Sequence, residues 1–152
     1  MSGQIEFCLN KASAAEIADL LLRCDNDFVP PLSGRVEIGS YAQKIAYKTA
    51  RFEAWVDGAL VGLVAAYCND SECRTAYITS VSVLQDWQGR GTASQLMQQC
   101  IANVTMLGFE HIELEVDSEN VGAVRLYEKM SFVINRVNGR ATIMQLNTRE
   151  EA

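Results

Sequence analysis

A glycine-rich turn between a predicted strand and a predicted helix constrains this sequence more than any other feature. Residues 75–83 are rich in β-branched side chains and favour a strand, and apolar residues from Leu96 to Val104 recur at helical spacing. Gly89 and Gly91 lie in between, so backbone amides can approach a ligand closely at the positive end of the helix dipole. The junction therefore predicts an anion site suited to a pyrophosphate. Glycines used only for turn geometry would give the same pattern.

Two familiar phosphate-binding motifs fit this turn poorly. A P-loop ends in Gly-Lys-Ser/Thr, whereas Gly91 is followed by Thr92 and Ala93, so no lysine stands where it would meet the terminal phosphates. The dinucleotide fingerprint requires a third glycine where Ser94 stands, and it normally opens a chain. The sequence therefore argues against a nucleoside triphosphatase and against a dinucleotide-binding enzyme.

The length and the net charge are those of one small acidic domain. A chain of 152 residues can bury one core and has no room for two, so residues 1–152 are predicted to form a single domain. Hydrophobic residues make up 49% and charged residues 21%, which is ordinary globular composition and excludes disorder for most of the length. The net charge of −6 argues against nucleic acid as a partner, because that affinity depends on Lys and Arg neutralising phosphates.

The five cysteines favour a reducing compartment. They are odd in number and contain no CxxC pair, and the chain starts with polar residues, so a cytoplasmic location is predicted. No apolar run approaches the roughly 18 residues of a membrane span, which predicts no membrane partner. Cys68 and Cys73 with the lone His111 make a poor zinc set, so reduced thiols and no metal are expected.

Hydrophobic periodicity and turn residues predict a mixed β-sheet flanked by helices, as in α/β or α+β domains. The first helix opens with the capping box Ser13 to Glu16, and the proline-containing segment 25–34 is predicted to be a loop. Further helices are predicted over residues 37–48, 91–107 and 121–129. Strands are predicted over residues 50–56, 60–68, 75–83, 111–116, 132–137 and 142–146.

The glycine turn and two later segments together match a family pattern. The turn reads Gln88-Gly89-Arg90-Gly91-Thr92-Ala93, and the match continues in order through residues 112–120 and 123–132. This arrangement resembles the GNAT superfamily of acyl-CoA-dependent N-acetyltransferases, whose motif A is Gln/Arg-x-x-Gly-x-Gly/Ala. Ser131 stands where that family usually has glycine, so a left-handed conformation there would be mildly strained.

The resemblance implies a mostly antiparallel mixed β-sheet flanked by helices, in which two central strands splay apart to form a cofactor cleft. These are the strand before motif A and the strand that carries Leu114-Glu115-Val116. The implied cosubstrate is acetyl-CoA, with its pantetheine arm on the first strand and its pyrophosphate on the glycine turn. The residues implied to bind it are Val81, Val83, Gln88, Gly89, Arg90, Gly91, Thr92, Ala93 and Asn120.

The resemblance also implies a base and an acid. The segment Leu-Glu-Val-x-x-x-Asn is similar to that of ribosomal-protein N-terminal acetyltransferases, whose glutamate is the base, and this implies Glu115 as general base. Tyr127 falls where the family places a tyrosine that hydrogen-bonds or protonates the leaving sulfur, and a phenol is a donor at neutral pH. The alternatives are an exposed strand carboxylate and a helix packing residue. Asn120 is also placed to cap the helix that carries Tyr127, while Glu53 and Asp117 are weaker candidates for the base.

The acceptor site in this family is built mostly from the N-terminal helices and loops. This implies Asp27, Phe28 and Tyr41 as substrate-binding residues, with Asp25 and Lys44 as further candidates. The two aspartates could attract a cationic amine or could serve as loop caps. The pattern Asp-Phe-Val-Pro-Pro-Leu-Ser resembles that of GNAT proteins from surface-polysaccharide gene clusters, which suggests an amino sugar, whereas the glutamate and tyrosine equally suit a peptide N-terminus.

The predicted function is acetyl transfer from acetyl-CoA to a primary amine of a small molecule or a peptide. The competing interpretation is a non-catalytic acyl-CoA-binding sensor, which would keep the glycine turn but would not need Glu115 and Tyr127. The edge strands of a small domain are compatible with pairing into a homodimer.

Overall fold

A computed structural model describes residues 4–68 and 74–149, which form a mixed sheet with helices on both faces. The helices are α1 (Ala14–Arg23), α2 (Ile38–Lys48), α3 (Thr92–Met106) and α4 (Val121–Lys129). The strands are β1 (Glu6–Leu9), β2 (Ala50–Val56), β3 (Ala59–Tyr67), β4 (Thr75–Val83), β5 (His111–Asp117), β6 (Val133–Asn138) and β7 (Ala141–Asn147). Their order across the sheet is β1-β2-β3-β4-β5-β7-β6, and β4 with β5 is the one parallel pair within the described residues.

The predicted elements and the mixed sheet are confirmed, with ends that agree to within a residue. The capping box is present, because the Ser13 hydroxyl accepts from the Glu16 amide at 3.2 Å and the Glu16 carboxylate accepts from the Ser13 amide at 2.9 Å. Strand β1 was not predicted. It has four residues that are exposed or half-buried, so it lacks an alternating pattern and depends on its pairing with β2.

The two faces of the sheet support separate cores. On one face α3 packs Leu96, Met97 and Cys100 against strand residues such as Val64. On the other face α1 and α2 form a second core with alternate residues of the same strands. Its buried members include Ile17, Leu20, Leu21, Ala42, Ile45, Trp55 and Leu63. Because side chains alternate across a strand, β3 serves both cores and its seven central residues are buried.

Strands β4 and β5 pair over only half of their length. Their register begins at Thr75 opposite His111 and ends at Ile78 opposite Leu114. From that point β4 continues to Val83 and β5 continues to Asp117 without a shared ladder. The register of β4 on β3 also skips one residue there, which leaves Thr79 as a bulge. The expected splaying of the two central strands is thus present.

Helix α4 ends in a left-handed turn at Ser131. The amide of Phe132 donates to the Tyr127 carbonyl oxygen at 3.0 Å, and the Ser131 amide donates to the Glu128 carbonyl oxygen at 2.9 Å. This is a Schellman motif, in which glycine is the usual residue at the left-handed position. Ser131 has φ of 78°, so the strain expected from the sequence is present and costs about 1 kcal/mol relative to glycine.

No group of three His, Cys, Asp or Glu side chains in residues 4–68 and 74–149 is arranged to hold a metal ion. Cys73, one member of the weak zinc set considered above, lies outside the described residues. In the same part of the chain, no helix is long and apolar enough to cross a membrane.

Candidate active site

A cleft of about 650 Å³ opens where β4 and β5 part. Its walls are the second half of β4, residues 114–117 of β5, one face of α4, and the loop between α1 and α2. This volume lies within the range of small-molecule sites in proteins. Of the residues predicted to bind the cofactor, Val81, Val83, Gln88 and Asn120 line the cleft, whereas Gly89 to Ala93 do not line it and lead from Gln88 into α3.

The bulge in β4 is held by a tyrosine of α2. The Tyr41 hydroxyl donates to the carbonyl oxygen of Thr79 at 2.6 Å. Since the phenol has one hydrogen to give, the Thr79 hydroxyl is the donor in their second contact, at 2.7 Å. Burial raises the pKa of Tyr41, which keeps this donor protonated. Tyr41 thus fixes the point at which β4 leaves β5, and it lines the cleft as well.

The glycine turn presents free amides to open space. Gly89 and Gly91 have φ of 76° and 78°, and a Cβ added at either would meet no atom within 4 Å. The backbone amides of residues 89–94 have no backbone acceptor in the described residues, as is usual for the first amides of a helix. The Gln88 amide differs, because it donates to the Gln85 carbonyl oxygen at 3.2 Å. The two glycines are therefore compatible with both interpretations: they permit the turn geometry, and they permit a ligand to approach the backbone closely.

The side chains of this turn are committed to neighbouring groups. The side-chain nitrogen Nε2 of Gln88 donates to the Val83 carbonyl oxygen at 2.9 Å and to the Asp27 carboxylate at 3.1 Å. Thr92 is buried, and its hydroxyl donates to the Trp87 carbonyl oxygen at 3.5 Å. Arg90 is exposed and stacks over the Trp87 ring at 4.5 Å from the centroid. An anion at this turn would therefore meet backbone amides, with the exposed Arg90 guanidinium as a cation of the same turn.

Tyr127 is nearly buried, with its hydroxyl open to the cleft. Its residue is 7% exposed and its ring packs against Phe132 with centroids 6.1 Å apart. The hydroxyl has no hydrogen-bond partner among the described residues. Every fully buried polar side-chain atom in that set does have a partner, so this hydroxyl is not fully buried. The hydroxyl must therefore touch solvent, and the cleft is the opening that Tyr127 lines. Burial raises its pKa to about 12, so it is a proton donor at neutral pH.

Glu115 presents a free carboxylate to the same cleft. It lies on β5 between the buried residues Leu114 and Val116, and its side chain is exposed. That side chain has no hydrogen bond or ion pair with any residue of 4–68 and 74–149. Burial raises the pKa of the neighbouring Tyr77, and the charge of Glu115 raises it further. Glu115 is thus accessible to an incoming amine.

The other carboxylates considered as bases are already engaged. Glu53 is fully buried and accepts from four groups: the amides of Lys11 and Ala12, the Trp55 indole, and the Arg51 guanidinium. These bonds join β2 to the start of α1 and leave no role in the cleft. Asp117 lines the cleft, but it accepts from the Glu119 amide at 2.8 Å and pairs with Arg140 at 3.2 Å.

Asn120 caps α4 as predicted, with its side-chain oxygen accepting from the Ala123 amide at 3.3 Å. The cap fixes the start of the helix that carries Tyr127 and leaves the Asn120 side chain at the cleft wall. A contact between Asn120 and the pantetheine arm stays a prediction.

The residues expected to meet the acceptor surround the same cleft. Asp27, Phe28 and Tyr41 line it. Asp25 instead stabilises the loop, since its carboxylate accepts from the Ser33 amide and hydroxyl at 2.7 Å each. Lys44 lies over the Tyr67 ring at 5.8 Å from the centroid.

Three further cleft residues carry no local signal in the sequence. Arg35, Tyr77 and Thr79 line the cleft because of the loop path and the strand bulge. The predicted splaying of two central strands pointed to this region, but it did not name these residues.

One thiol of the described residues lines the cleft, and it is poorly suited to nucleophilic attack. Cys24 lines the cleft, and burial followed by the nearby charge of Asp27 raises its pKa to about 12. The reactive form of cysteine is the thiolate, which is scarce at neutral pH when the pKa is so high. The arrangement therefore favours direct transfer chemistry over an acyl-cysteine route.

The chain belongs to the acetyltransferase (GNAT) family, whose model matches residues 15–132. It is 31% identical over 83 residues to the N-alpha-acetyltransferase MAK3 of Arabidopsis thaliana, a match that covers 54% of this chain and 44% of that protein. The chain spans 38% to 58% of the length of the curated relatives it matches. The family resemblance is thus confirmed.

Solved structures share the whole fold. The ribosomal-protein-S18-alanine N-acetyltransferase from Escherichia coli superposes with a TM-score of 0.75 at 18% identity, covering 98% of this chain and 97% of that one. The acetyltransferase yncA from Salmonella typhimurium, solved with its cofactor acetyl-CoA, gives a TM-score of 0.71 at 18% identity and covers 100% of this chain and 97% of that one. The mostly antiparallel sheet flanked by helices is therefore the fold of this family.

Proposed function

We propose that this protein is an acetyl-CoA-dependent N-acetyltransferase that acetylates the α-amino group of a peptide or protein N-terminus. One observation carries the proposal: the unpartnered carboxylate of Glu115 and the protonated phenol of Tyr127 open into one cleft. A binding module would need neither group. The similarity to an N-alpha-acetyltransferase over about half of the chain supports this class of acceptor.

The residues of the cleft fit acetyl-CoA. The open amides of residues 89–94 would hold the pyrophosphate, helped by Arg90, and the free half of β4 at Val81 and Val83 would meet the pantetheine arm. Gln88 would shape the turn through its bond to the Val83 carbonyl oxygen. Thr92 and Ala93 would bind the cofactor through their backbone amides, and Asn120 would bind it through its side chain. When bound, acetyl-CoA supplies an acetyl thioester.

The remaining chemistry is proton transfer by two side chains. A peptide N-terminus is largely an ammonium at neutral pH and must lose a proton before it can attack. Glu115 is exposed to the cleft and free of other bonds, so its carboxylate can take that proton directly or through a water. Tyr127 also lines this cleft and holds a phenolic proton that can be delivered to a departing thiolate. Asp27, Phe28 and Tyr41 would seat the acceptor.

The test is thiol release with a set of amines. Purified protein is mixed with acetyl-CoA and a panel of short peptides with free N-termini. CoA release is followed, and the masses of the products are measured by mass spectrometry. The proposal predicts CoA release that depends on peptide and a product heavier by one acetyl group on its α-amine. Release with an amino sugar alone would move the acceptor class to sugars, and no release with any amine would favour the sensor interpretation.

The assembly and the location of the protein stay predictions. The edge strand β6 exposes Val133, Ile134 and Val137, which a homodimer could cover. Sedimentation equilibrium of the purified chain would measure its mass, and cell fractionation would test the cytoplasmic location.

A further inference from the structure

Charged side chains line the cleft, and their pairing leaves Arg35 as a cation without an ion pair. The charged residues at the wall are Asp27, Arg35, Glu115, Asp117 and Arg140. Arg140 pairs with Asp117 at 3.2 Å and with Glu119 at 3.2 Å, and Asp27 accepts from Gln88 at 3.1 Å. In the described ranges, the side chains of Arg35 and Glu115 have no ion pair or hydrogen bond. Among the charged residues at the wall, Arg35 is therefore the cation without an ion pair in the described residues, and Asp27 and Glu115 are carboxylates without one.

Arg35 lies on the acceptor side of the cleft. It follows the short helical turn Leu32–Gly34, in the loop between α1 and α2. Burial raises the pKa of Tyr77 most, the charge of Glu115 raises it further, and the charge of Arg35 lowers it. Arg35 acts in the same direction on Tyr41. Arg35, Tyr77 and Glu115 all line the cleft, so both charged side chains are open to a ligand that occupies it.

A guanidinium fork is matched to a carboxylate, with which it can form two parallel hydrogen bonds. A carboxylate such as Glu115 is matched to an ammonium. A ligand that satisfies both side chains at once must carry an amine and a carboxylate. A neutral or cationic neighbour of the amine would leave Arg35 without a partner or would be repelled by it.

We propose that Arg35 is a specificity-determining residue that binds a carboxylate carried by the acceptor next to its reacting amine. The proposal rests on the acetyl transfer to an amine proposed above. The carboxylate has two sources: an acidic side chain near a peptide N-terminus, or the main-chain carboxylate of a free amino acid. In either case the acceptor is an amine that also carries a carboxylate, and its amine would meet the Glu115 carboxylate.

The experiment compares matched acceptors. Peptides that differ only in whether the second residue is Glu, Gln or Lys are assayed by thiol release, together with glycine and glycinamide. The wild type is expected to favour the Glu peptide over the Gln peptide, or glycine over glycinamide, by about tenfold in kcat/KM, as for one charge-assisted pair. Arg35→Gln should remove that preference, and Arg35→Glu should shift it toward the Lys peptide.

Arg125→Gln is the matched control, because Arg125 is exposed on α4 and does not line the cleft. It should keep the wild-type preference, and all variants should keep the wild-type affinity for desulfo-CoA. A wild type indifferent to the carboxylate, or a preference that survives Arg35→Gln, would overturn the proposal.

A binding measurement separates this proposal from the proposed reaction. The Glu peptide and glycine are titrated by calorimetry into wild-type protein and into Arg35→Gln, each saturated with desulfo-CoA. Tighter binding of either carboxylate ligand to the wild type, without turnover of any acceptor, would support the Arg35 site and reject the acetyl transfer. Equal binding or no binding of both ligands would overturn the Arg35 site even if neutral amines were acetylated.

Discussion

Gln88 and Asp27 are joined by a 3.1 Å hydrogen bond between residues 61 positions apart in the chain. Gln88 begins the glycine turn, and Asp27 lies in the loop between α1 and α2 that lines the cleft. The same Gln88 nitrogen donates to the Val83 carbonyl oxygen at 2.9 Å, so one side chain connects that loop, the end of β4 and the glycine turn. The two predicted binding regions are thus held in contact by a single amide.

Two substitutions at Asp27 separate its charge from this bond. Asp27→Asn keeps an oxygen that can accept from Gln88, whereas Asp27→Ala removes the bond as well. If the Asp27 charge attracts the ammonium form of the acceptor, both variants should raise the acceptor KM by about fivefold, as for one exposed ion pair. Acetyl-CoA affinity measured by calorimetry should change little in Asp27→Asn. An unchanged KM in Asp27→Asn would assign Asp27 to the bond alone.

Glu115→Gln should slow turnover by about a hundredfold or more, the usual loss when a general base is removed. The affinity for acetyl-CoA and the melting temperature should stay near wild type, because the Glu115 side chain is exposed and forms no bond in the described residues. Glu113→Gln is the matched control. Glu113 is on the same face of β5, does not line the cleft, and bonds to Gln145 at 3.0 Å. Wild-type kcat in Glu115→Gln would remove Glu115 from the mechanism.

Tyr127→Phe should lower kcat by about tenfold to a hundredfold, since it removes a proton donor and keeps the ring that packs on Phe132. Acetyl-CoA affinity should be nearly intact. Tyr47→Phe, at an exposed residue of α2, supplies the control for loss of a phenol. Steady-state kinetics of the three proteins measure the effect, and equal kcat in all of them would leave Tyr127 as a packing residue.

The raised pKa of Tyr127 predicts a loss of stability in alkali. Its pKa is about 12 in the folded protein against an ordinary value of 10.0 for tyrosine, so its contribution to stability is full below pH 10 and is lost as the pH rises toward 12. Between pH of about 9 and 11.5, the free energy of unfolding should fall by about 2 kcal/mol more in wild type than in Tyr127→Phe. Urea unfolding at the two pH values measures this difference. The same fall in both proteins would contradict it.

Local patterns predicted the elements and the glycine turn, whereas long-range contacts decided the roles of individual residues. The α4 boundaries follow from the Asn120 cap and the turn at Ser131, both of which lie within a few residues of the helix. The strand glutamates Glu53 and Glu115 look alike in sequence. Burial separates them, because β2 is covered on both faces and the end of β5 faces the cleft.

The residues that sequence reasoning missed depend on the tertiary path of the chain. Thr79 is bulged by the pairing of β4 with β3, and its bond to Tyr41 joins positions 38 residues apart. Arg35 reaches the cleft through a loop that has no periodic pattern. Strand β1 forms only when β2 supplies its partner. Local sequence propensities cannot predict these contacts, because each depends on residues that are far apart in the chain.

The most direct test of the account is a calorimetric titration of wild type, Gly91→Glu and Gly108→Glu with acetyl-CoA, with ATP as a further ligand. Gly91 and Gly108 both have positive φ and open space around an added Cβ, so the two variants carry similar strain, but only Gly91 lies in the glycine turn. We expect micromolar affinity for acetyl-CoA in wild type and in Gly108→Glu, no binding in folded Gly91→Glu, and no response to ATP. Failure of the wild type to bind acetyl-CoA, or undiminished affinity in folded Gly91→Glu, would contradict it.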